Sequence, residues 1–295
     1  MRKTLTQTLL AAFCAILLAT PLEGGGVMLI GMRNAILAGG AAPGPTPAYW
    51  GLCFTAEAAN SSVQLTAVGS PPAVTLVKSF DGINWEAYAV GEVIDLPSTG
   101  DLVYLAAGEG GNESFGSSAS AYHKFVINGL VAASGDITSL RRFDLEQTTL
   151  ATNCYTFMFS GCTGLTSAPE LPATTLASRC YASMFKGCTG LTSAPELPAT
   201  TLANSCYFSM FNGCTGLMSA PELPATTLAS YCYYYMFGNC AKLSLIRVHF
   251  TAWGAQTSDW VSNVSPTGTF YKPTALTEEY GTSKIPTGWT VVNID

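Results

Sequence analysis

Residues 148–173 read TTLATNCYTFMFSGCTGLTSAPELPA, residues 174–199 read TTLASRCYASMFKGCTGLTSAPELPA, and residues 200–225 read TTLANSCYFSMFNGCTGLMSAPELPA. A fourth copy, TTLASYCYYYMFGNCAKLS, occupies 226–244 before the pattern diverges, and 20 of the 26 positions are identical in the first three units. Self-similarity at this period is the signature of a solenoid, in which a unit buries its apolar face only by stacking on its neighbours. The stretch therefore decides architecture, and it describes a protein built to present surface.

Comparison of the copies separates two sets of positions. Thr152, Asn153, Thr156, Phe157 and Ser160 vary, whereas Cys154, Tyr155, Met158, Phe159 and Cys162 do not. Both sets follow the spacing i, i+1, i+4, i+5, i+8, displaced by two residues. At about 100° per residue the two sets fall on opposite faces of a helix. The sequence thus predicts a helix from Thr174 or Thr175, after Pro172, to the stop at Gly187–Cys188. In GLTSAPELP, Leu191, Ala194 and Leu197 point inward, and Pro195 and Pro198 limit any strand to two or three residues. The predicted core is Cys154, Met158, Phe159 and Cys162 in the first unit and Cys180, Met184, Phe185 and Cys188 in the second. Cys206, Met210, Phe211 and Cys214 follow in the third, and Cys232, Met236, Phe237 and Cys240 in the fourth. The fold class is α+β: a leucine-rich-repeat-like solenoid with a helix and a short extended segment per 26-residue unit, preceded by a small antiparallel β-sandwich.

The rest of the chain is read outward from the repeats. Residues 1–23, with Arg2, Lys3 and the apolar stretch Leu9 to Ala19, match a signal peptide or signal anchor. Residues 24–49 are a second apolar stretch and a Pro/Gly linker; that stretch is short of the ~20 residues that span a bilayer. Residues 50–133 show short alternating apolar runs between turn residues, indicating the β-sandwich, with Asp81-Gly82 as a hairpin signal. Gly108 to Ser120 reads as a long surface loop. Residues 134–147 form an N-terminal solenoid cap, 148–247 the repeats, and 248–295 a C-terminal cap built on Trp253, Trp260, Phe270 and Trp289.

Composition restricts the chemistry. Charged residues are 11% of the chain and the net charge is −6 without a basic cluster, which excludes a nucleic-acid footprint. Loss of the signal leaves nine of the ten cysteines, an odd number. Cys154 and Cys162 lie about 12 Å apart on a helix, beyond the ~7 Å limit for a bridge. Buried thiols and bridges between coils, such as Cys162 with Cys180, both remain open. The chain has no CxxC and only His123 and His249, read as surface or edge residues, so neither a zinc site nor a histidine-activated nucleophile is assigned. Glu170, Glu196 and Glu222 form an acidic row whose equivalent settings do not suit an acid/base pair; weak binding of a cation or cationic partner is their candidate role. Phe157, Arg179, Lys186, Phe208, Tyr231, Tyr234 and Tyr235, on the varying face, are the remaining candidate binding residues.

The motif CYxxMFxGCTGLTSAPELPATTLA, with WVSNVSPTGTFYK and IPTGWTV near the C-terminus, resembles the BspA-like leucine-rich repeat surface proteins of gut and oral bacteria. The resemblance covers roughly residues 134–295 and implies an exported, non-catalytic cell-surface protein for adhesion or partner binding. No cofactor, metal site or catalytic residue is assigned. The partner is a protein or glycan at a cell surface, with membrane association through the N-terminus only. A carbohydrate-binding or glycan-processing accessory protein and a phage adhesin are the alternatives.

Overall fold

A computed structural model of the chain describes residues 51–142 and 149–294. The signal segment, the second apolar stretch, the linker and part of the N-terminal cap lie outside the described residues.

Among the described residues nine strands precede the repeats. They are β1 (Leu52–Ala56), β2 (Ser61–Val68), β3 (Leu76–Ser79), β4 (Glu86–Tyr88), β5 (Val93–Leu96), β6 (Leu102–Ala107), β7 (Gly116–Ser118), β8 (Ala121–Asn128) and β9 (Val131–Ser134). β5-β2-β8-β7 form one antiparallel sheet, and β9-β1-β6-β3-β4 form the antiparallel part of a second. In β2, Val63 and Leu65 are buried while Ser62, Gln64 and Thr66 are half-buried, the period-two pattern of a strand with one face on a core. Lys78 pairs with Glu86 across the β3–β4 hairpin. Its loop is ordered by the Asp81 carboxylate, which accepts the N–H groups of Ile83 at 2.8 Å and Asn84 at 2.7 Å.

The predicted helices do not exist. Among the described residues there is no α-helix, and the helical turns are the 3-10 segments Ile137–Leu140 and Ala255–Thr257. The fold class is corrected to all-β, with a parallel β-solenoid in place of a helix-containing leucine-rich repeat. Where the helix was expected, the backbone forms a ribbon of overlapping tight turns. Cys154, Thr156, Met158, Ser160 and Cys162 each donate an N–H to the carbonyl three residues back. The intervening residues donate across the coil boundary: Tyr155 to Cys180 O (2.8 Å), Phe157 to Ala182 O (3.0 Å), Phe159 to Met184 O (2.8 Å) and Gly161 to Lys186 O (2.7 Å). Every second donor is local and every other one holds the next coil, so no N–H of the ribbon core is orphaned.

This ribbon repeats every four residues. Positive φ falls at Asn153, Phe157 and Gly161, at Arg179, Ser183 and Gly187, at Ser205, Ser209 and Gly213, and at Tyr231, Tyr235 and Asn239. In each case it is the third residue of a turn, as a type II turn requires. A non-glycine residue there costs about 1–2 kcal/mol, and none of these positions carries a β-branched residue, for which the strain is worst. An i, i+1, i+4, i+5, i+8 pattern over nine residues fits this period as well as 3.6. Both residues of each invariant pair point inward.

Inside, the invariant rings form two columns. Tyr155, Tyr181 and Tyr207 stack at 5.8 and 6.0 Å, and Tyr207 meets Tyr233 at 6.2 Å. Phe159, Phe185, Phe211 and Phe237 follow at 5.4, 5.6 and 5.7 Å. Each near-parallel pair contributes about 0.5–1.5 kcal/mol beyond its area burial. Gly190 and Gly216 allow the coils this approach: a Cβ on either would stand 2.6 Å from a threonine carbonyl of the preceding coil.

The other side of the solenoid carries parallel strands in its first coil and from its third coil onward, with none in the second. β10 (Leu165–Ser167) pairs with β9, so the first coil continues the second sheet of the N-terminal domain. β11 (Ser219–Leu223), β12 (Leu245–Val248), β13 (Thr269–Lys272) and β14 (Thr290–Asn293) form a four-stranded parallel sheet in that order. Around Pro195 and Pro198 no strand forms, and β10 in the first unit is three residues long, within the expected limit; β11 in the third unit exceeds it at five, with Pro221 at a register shift on the sheet edge, where its missing N–H is tolerated. The coils then shorten, with Leu245 opposite Thr269 and Thr269 opposite Thr290.

Both open ends are closed. At the N-terminal end Phe115 N donates to Cys154 O (2.9 Å), Phe125 N to Met158 O (2.7 Å) and Val131 N to Gly164 O (3.0 Å). Phe115 stacks on Tyr155 and Phe125 on Phe159. The stretch Gly108 to Ser120 is therefore not simply a surface loop, because Phe115 is buried and seals the solenoid. At the C-terminal end the ribbon continues to 263, inside the segment read as cap. The carbonyls of Ser258 and Trp260 accept from Tyr235 and Phe237. Trp260 is buried and meets both columns, 6.3 Å from Tyr233 and 6.1 Å from Phe237.

Because interior coils make equivalent contacts, deletion of residues 174–199 is expected to leave a cooperatively folding protein in thermal unfolding, whereas deletion of 174–186 alone is expected to abolish the transition. Phe211→Ala, in the middle of a column, is expected to cost about 3–5 kcal/mol in a denaturant titration.

Candidate functional site

The ribbon's outer face is a grid in which residue i of one coil is followed by residue i+26 of the next. Its varying positions become columns: Thr156, Ala182, Phe208 and Tyr234 in one, and Phe157, Ser183, Ser209 and Tyr235 in another. Asp259 continues the second column, since Tyr235 N donates to Ser258 O at 3.1 Å.

The grid brings four of the candidate residues together. Phe208 and Tyr234 stack with centroids at 5.1 Å and planes 7° apart. Tyr231 meets Tyr234 edge-on at 5.8 Å, and Tyr235 does so at 4.7 Å. Tyr231 is 52% exposed. Phe157 does not join them: it is half-buried against Tyr122 of β8 at 4.7 Å and belongs to the junction with the N-terminal domain. Arg179 and Lys186 are exposed on the second coil, two coils from the tyrosines. Glu170, Glu196 and Glu222 are exposed on the ladder side. The Glu222 carboxylate bonds His249 Nε2 at 2.6 Å, and Arg247, opposite Glu222 in the sheet, lies 4.5 Å over the Tyr271 ring.

The structure adds residues that the sequence reading did not single out. The Asp259 carboxylate lies beside the Tyr235 phenol and accepts Thr282 Oγ1 at 2.9 Å. Its charge, with Tyr234 second, raises the Tyr235 pKa. Asn263 Nδ2 donates to Asn239 Oδ1 at 2.8 Å, and Asn212 Nδ2 donates to Tyr235 O at 3.4 Å. Two signals were present in the sequence. The fourth unit reads Gly238-Asn239 where the others end in glycine, and SDWVSN repeats the inward–outward alternation of the ribbon in altered residues.

Histidine placement needs correction too. His123 is not a surface or edge residue; it is buried, its Nδ1 is 3.1 Å from Phe115 O, and burial lowers its pKa. Among the described residues no group of three or more His, Cys, Asp or Glu side chains is placed to hold a metal ion, and no helix is long and apolar enough to cross a membrane.

The eight repeat cysteines form two columns of buried free thiols, and Cys53 of β1 is also buried and free. Cys188, Cys214 and Cys240 donate through sulfur to Phe159 O, Phe185 O and Phe211 O at 3.0, 3.0 and 3.1 Å. Burial pushes the thiol pKa up to about 11 for Cys154 and about 12 for Cys162, Cys180, Cys232 and Cys240. These sulfurs serve packing and are poor nucleophiles.

No protein-family model, curated protein or solved structure matches the chain.

Two outcomes follow from the thiols. Alkylation of the native protein is expected to label none of these buried cysteines until it unfolds. Unfolded thiols ionise near 9 and folded ones well above, so the proton-bound form favours the fold. Stability is expected to be fully present below about pH 9 and to fall as pH rises towards 12, by up to about 1.4 kcal/mol per pH unit per thiol, as read by denaturant titrations across that range.

Proposed function

We propose that the protein is an exported, non-catalytic adhesion or partner-binding module whose contact surface is the ribbon face around Phe208, Tyr231, Tyr234 and Tyr235. One observation carries this reading: the aromatic residues gather at positions that vary between otherwise near-verbatim units. The invariant positions are occupied by packing and by coil-to-coil hydrogen bonds, so the varying ones are where composition is free to follow a ligand. Tyrosine suits that role, since it presents a large, stiff, partly apolar surface with a hydroxyl at its tip and loses little entropy on contact. Both histidines lie elsewhere, His123 against Phe115 and His249 against Glu222, and the glutamates of the acidic row are exposed.

The role agrees with what the resemblance to BspA-like surface proteins implies, although the all-β coil departs from their helix-containing repeat. The support is the surface itself. Purified chain is expected to bind one or more immobilised matrix proteins, glycans or whole cells. The double variant Tyr231→Ser/Tyr234→Ser, with unchanged thermal unfolding, is expected to bind at least about tenfold more weakly, a loss of about 1.4 kcal/mol. Equal binding by the variant, or no binding to any of these targets, rejects the reading.

A further inference from the structure

We infer that the ligand of this face is an uncharged carbohydrate, stacked on the tyrosines and hydrogen-bonded by Asp259, Asn239 and Asn263; the inference rests on the contact surface proposed above.

The first observation concerns a change of residue at the ribbon's left-handed positions. In the column Gly161, Gly187, Gly213 the ribbon's left-handed position is filled by glycine, which adopts φ of +80°, +75° and +79° freely. The fourth and fifth coils place Asn239 (φ +62°) and Asn263 (φ +57°) there instead. The ribbon requires a left-handed residue there, and asparagine adopts that backbone more readily than other side-chain-bearing residues. What the two residues gain is a pair of exposed amides joined by the 2.8 Å bond from Asn263 Nδ2 to Asn239 Oδ1. An amide has two ends. The bond uses the Asn239 carbonyl and one Asn263 donor, so the exposed pair still offers the Asn239 NH2 as donor and the Asn263 carbonyl as acceptor.

The second observation is the arrangement around Tyr234. Phe208 backs one face of its ring at 5.1 Å. The residue that follows Tyr234 in the fifth coil is Ser258, so the stack of rings ends at Tyr234. The Tyr231 and Tyr235 rings each stand at 69° to it. Asp259 adjoins Tyr235, held by the bond from Thr282 Oγ1.

Ring faces beside a fixed carboxylate and a donor–acceptor amide pair match a pyranose, which offers C–H groups on its faces and adjacent hydroxyls at its rim. The charge of the patch selects among sugars. The Asp259 carboxylate adjoins its tyrosines, while Arg179 and Lys186 lie two coils from them, so a uronate, sialate, sulfate or phosphate would meet a like charge there. A point cation would leave the amide pair unused.

The test titrates the full chain by calorimetry with neutral oligosaccharides (glucose-, mannose- and galactose-terminated), with acidic ones, and with a quaternary ammonium salt. Neutral oligosaccharides are expected to bind and the others not. Asn239→Gly/Asn263→Gly restores the glycines of the earlier coils, so it is expected to fold at least as stably while weakening sugar binding about tenfold or more. Unchanged sugar affinity in that variant, or binding confined to acidic or cationic probes, overturns the inference. Tyrosine-dependent capture of a protein ligand without sugar binding overturns the carbohydrate and leaves the contact surface standing. Binding indifferent to Tyr231→Ser/Tyr234→Ser overturns both.

Discussion

The alternation of hydrogen-bond direction along the turn ribbon is the constraint on which the rest of the molecule depends. An α-helix spends every interior N–H on its own axis and offers nothing to a neighbour except side chains. The ribbon turns alternate donors outward, so each coil is bonded to the next through Tyr155, Phe157, Phe159 and Gly161 and their equivalents. The requirement for a left-handed residue every fourth position follows, as does the segregation of side chains into inward and outward pairs. Inward pairs fill a space whose height is one coil, which accounts for flat rings beside slim Cys and Met. The cysteine thiol is small enough to fit there and can still donate to a phenylalanine carbonyl.

The same constraint explains why the N-terminal β domain and the solenoid share one core. A ribbon that bonds to its neighbours exposes unmatched carbonyls at its first coil and unmatched donors at its last. The β domain meets the first need with the N–H groups of Phe115, Phe125 and Val131. Thr282 O and Ser283 Oγ meet the second at Val261 N (3.1 Å) and Asp259 N (2.9 Å), respectively. Phe125 begins a column that passes through Phe159, Phe185, Phe211 and Phe237 to Trp260, so a single stack runs from one closure to the other.

The repeat was legible as a solenoid because its copies state the stacking period outright, and the inward or outward sense of most ribbon positions can be read from which of them vary. Helical structure was a misreading of the period. Nine residues do not separate 3.6 from 4.0, but composition could have: CYTFMFSGC and its equivalents are rich in Cys, Tyr, Phe and Ser, which sit low on the helix scale, with a glycine in every copy. The tyrosine cluster was visible residue by residue, whereas its neighbours were not. Asp259 and Asn263 belong to a fifth coil two residues shorter than the others and divergent in composition, so neither its spacing nor its residues mark it as a copy. Phe115 and His123 were hidden differently, since a glycine- and serine-rich stretch gives no sign that its one phenylalanine will plug the end of another element.

Near-identical coils have a further consequence. Any of the three verbatim units would accept either of the others as its neighbour, within the chain or from a second molecule, because rings, thiols and donors would meet equally well. Nothing inside the array therefore records position. Only the unrepeated ends do: Phe115 and Phe125 match the first coil, and the shortened fifth coil with Trp260 matches the fourth. Correct order is a boundary property, and a chain that begins stacking from its middle has no means of telling a slipped arrangement from the proper one until it reaches an end.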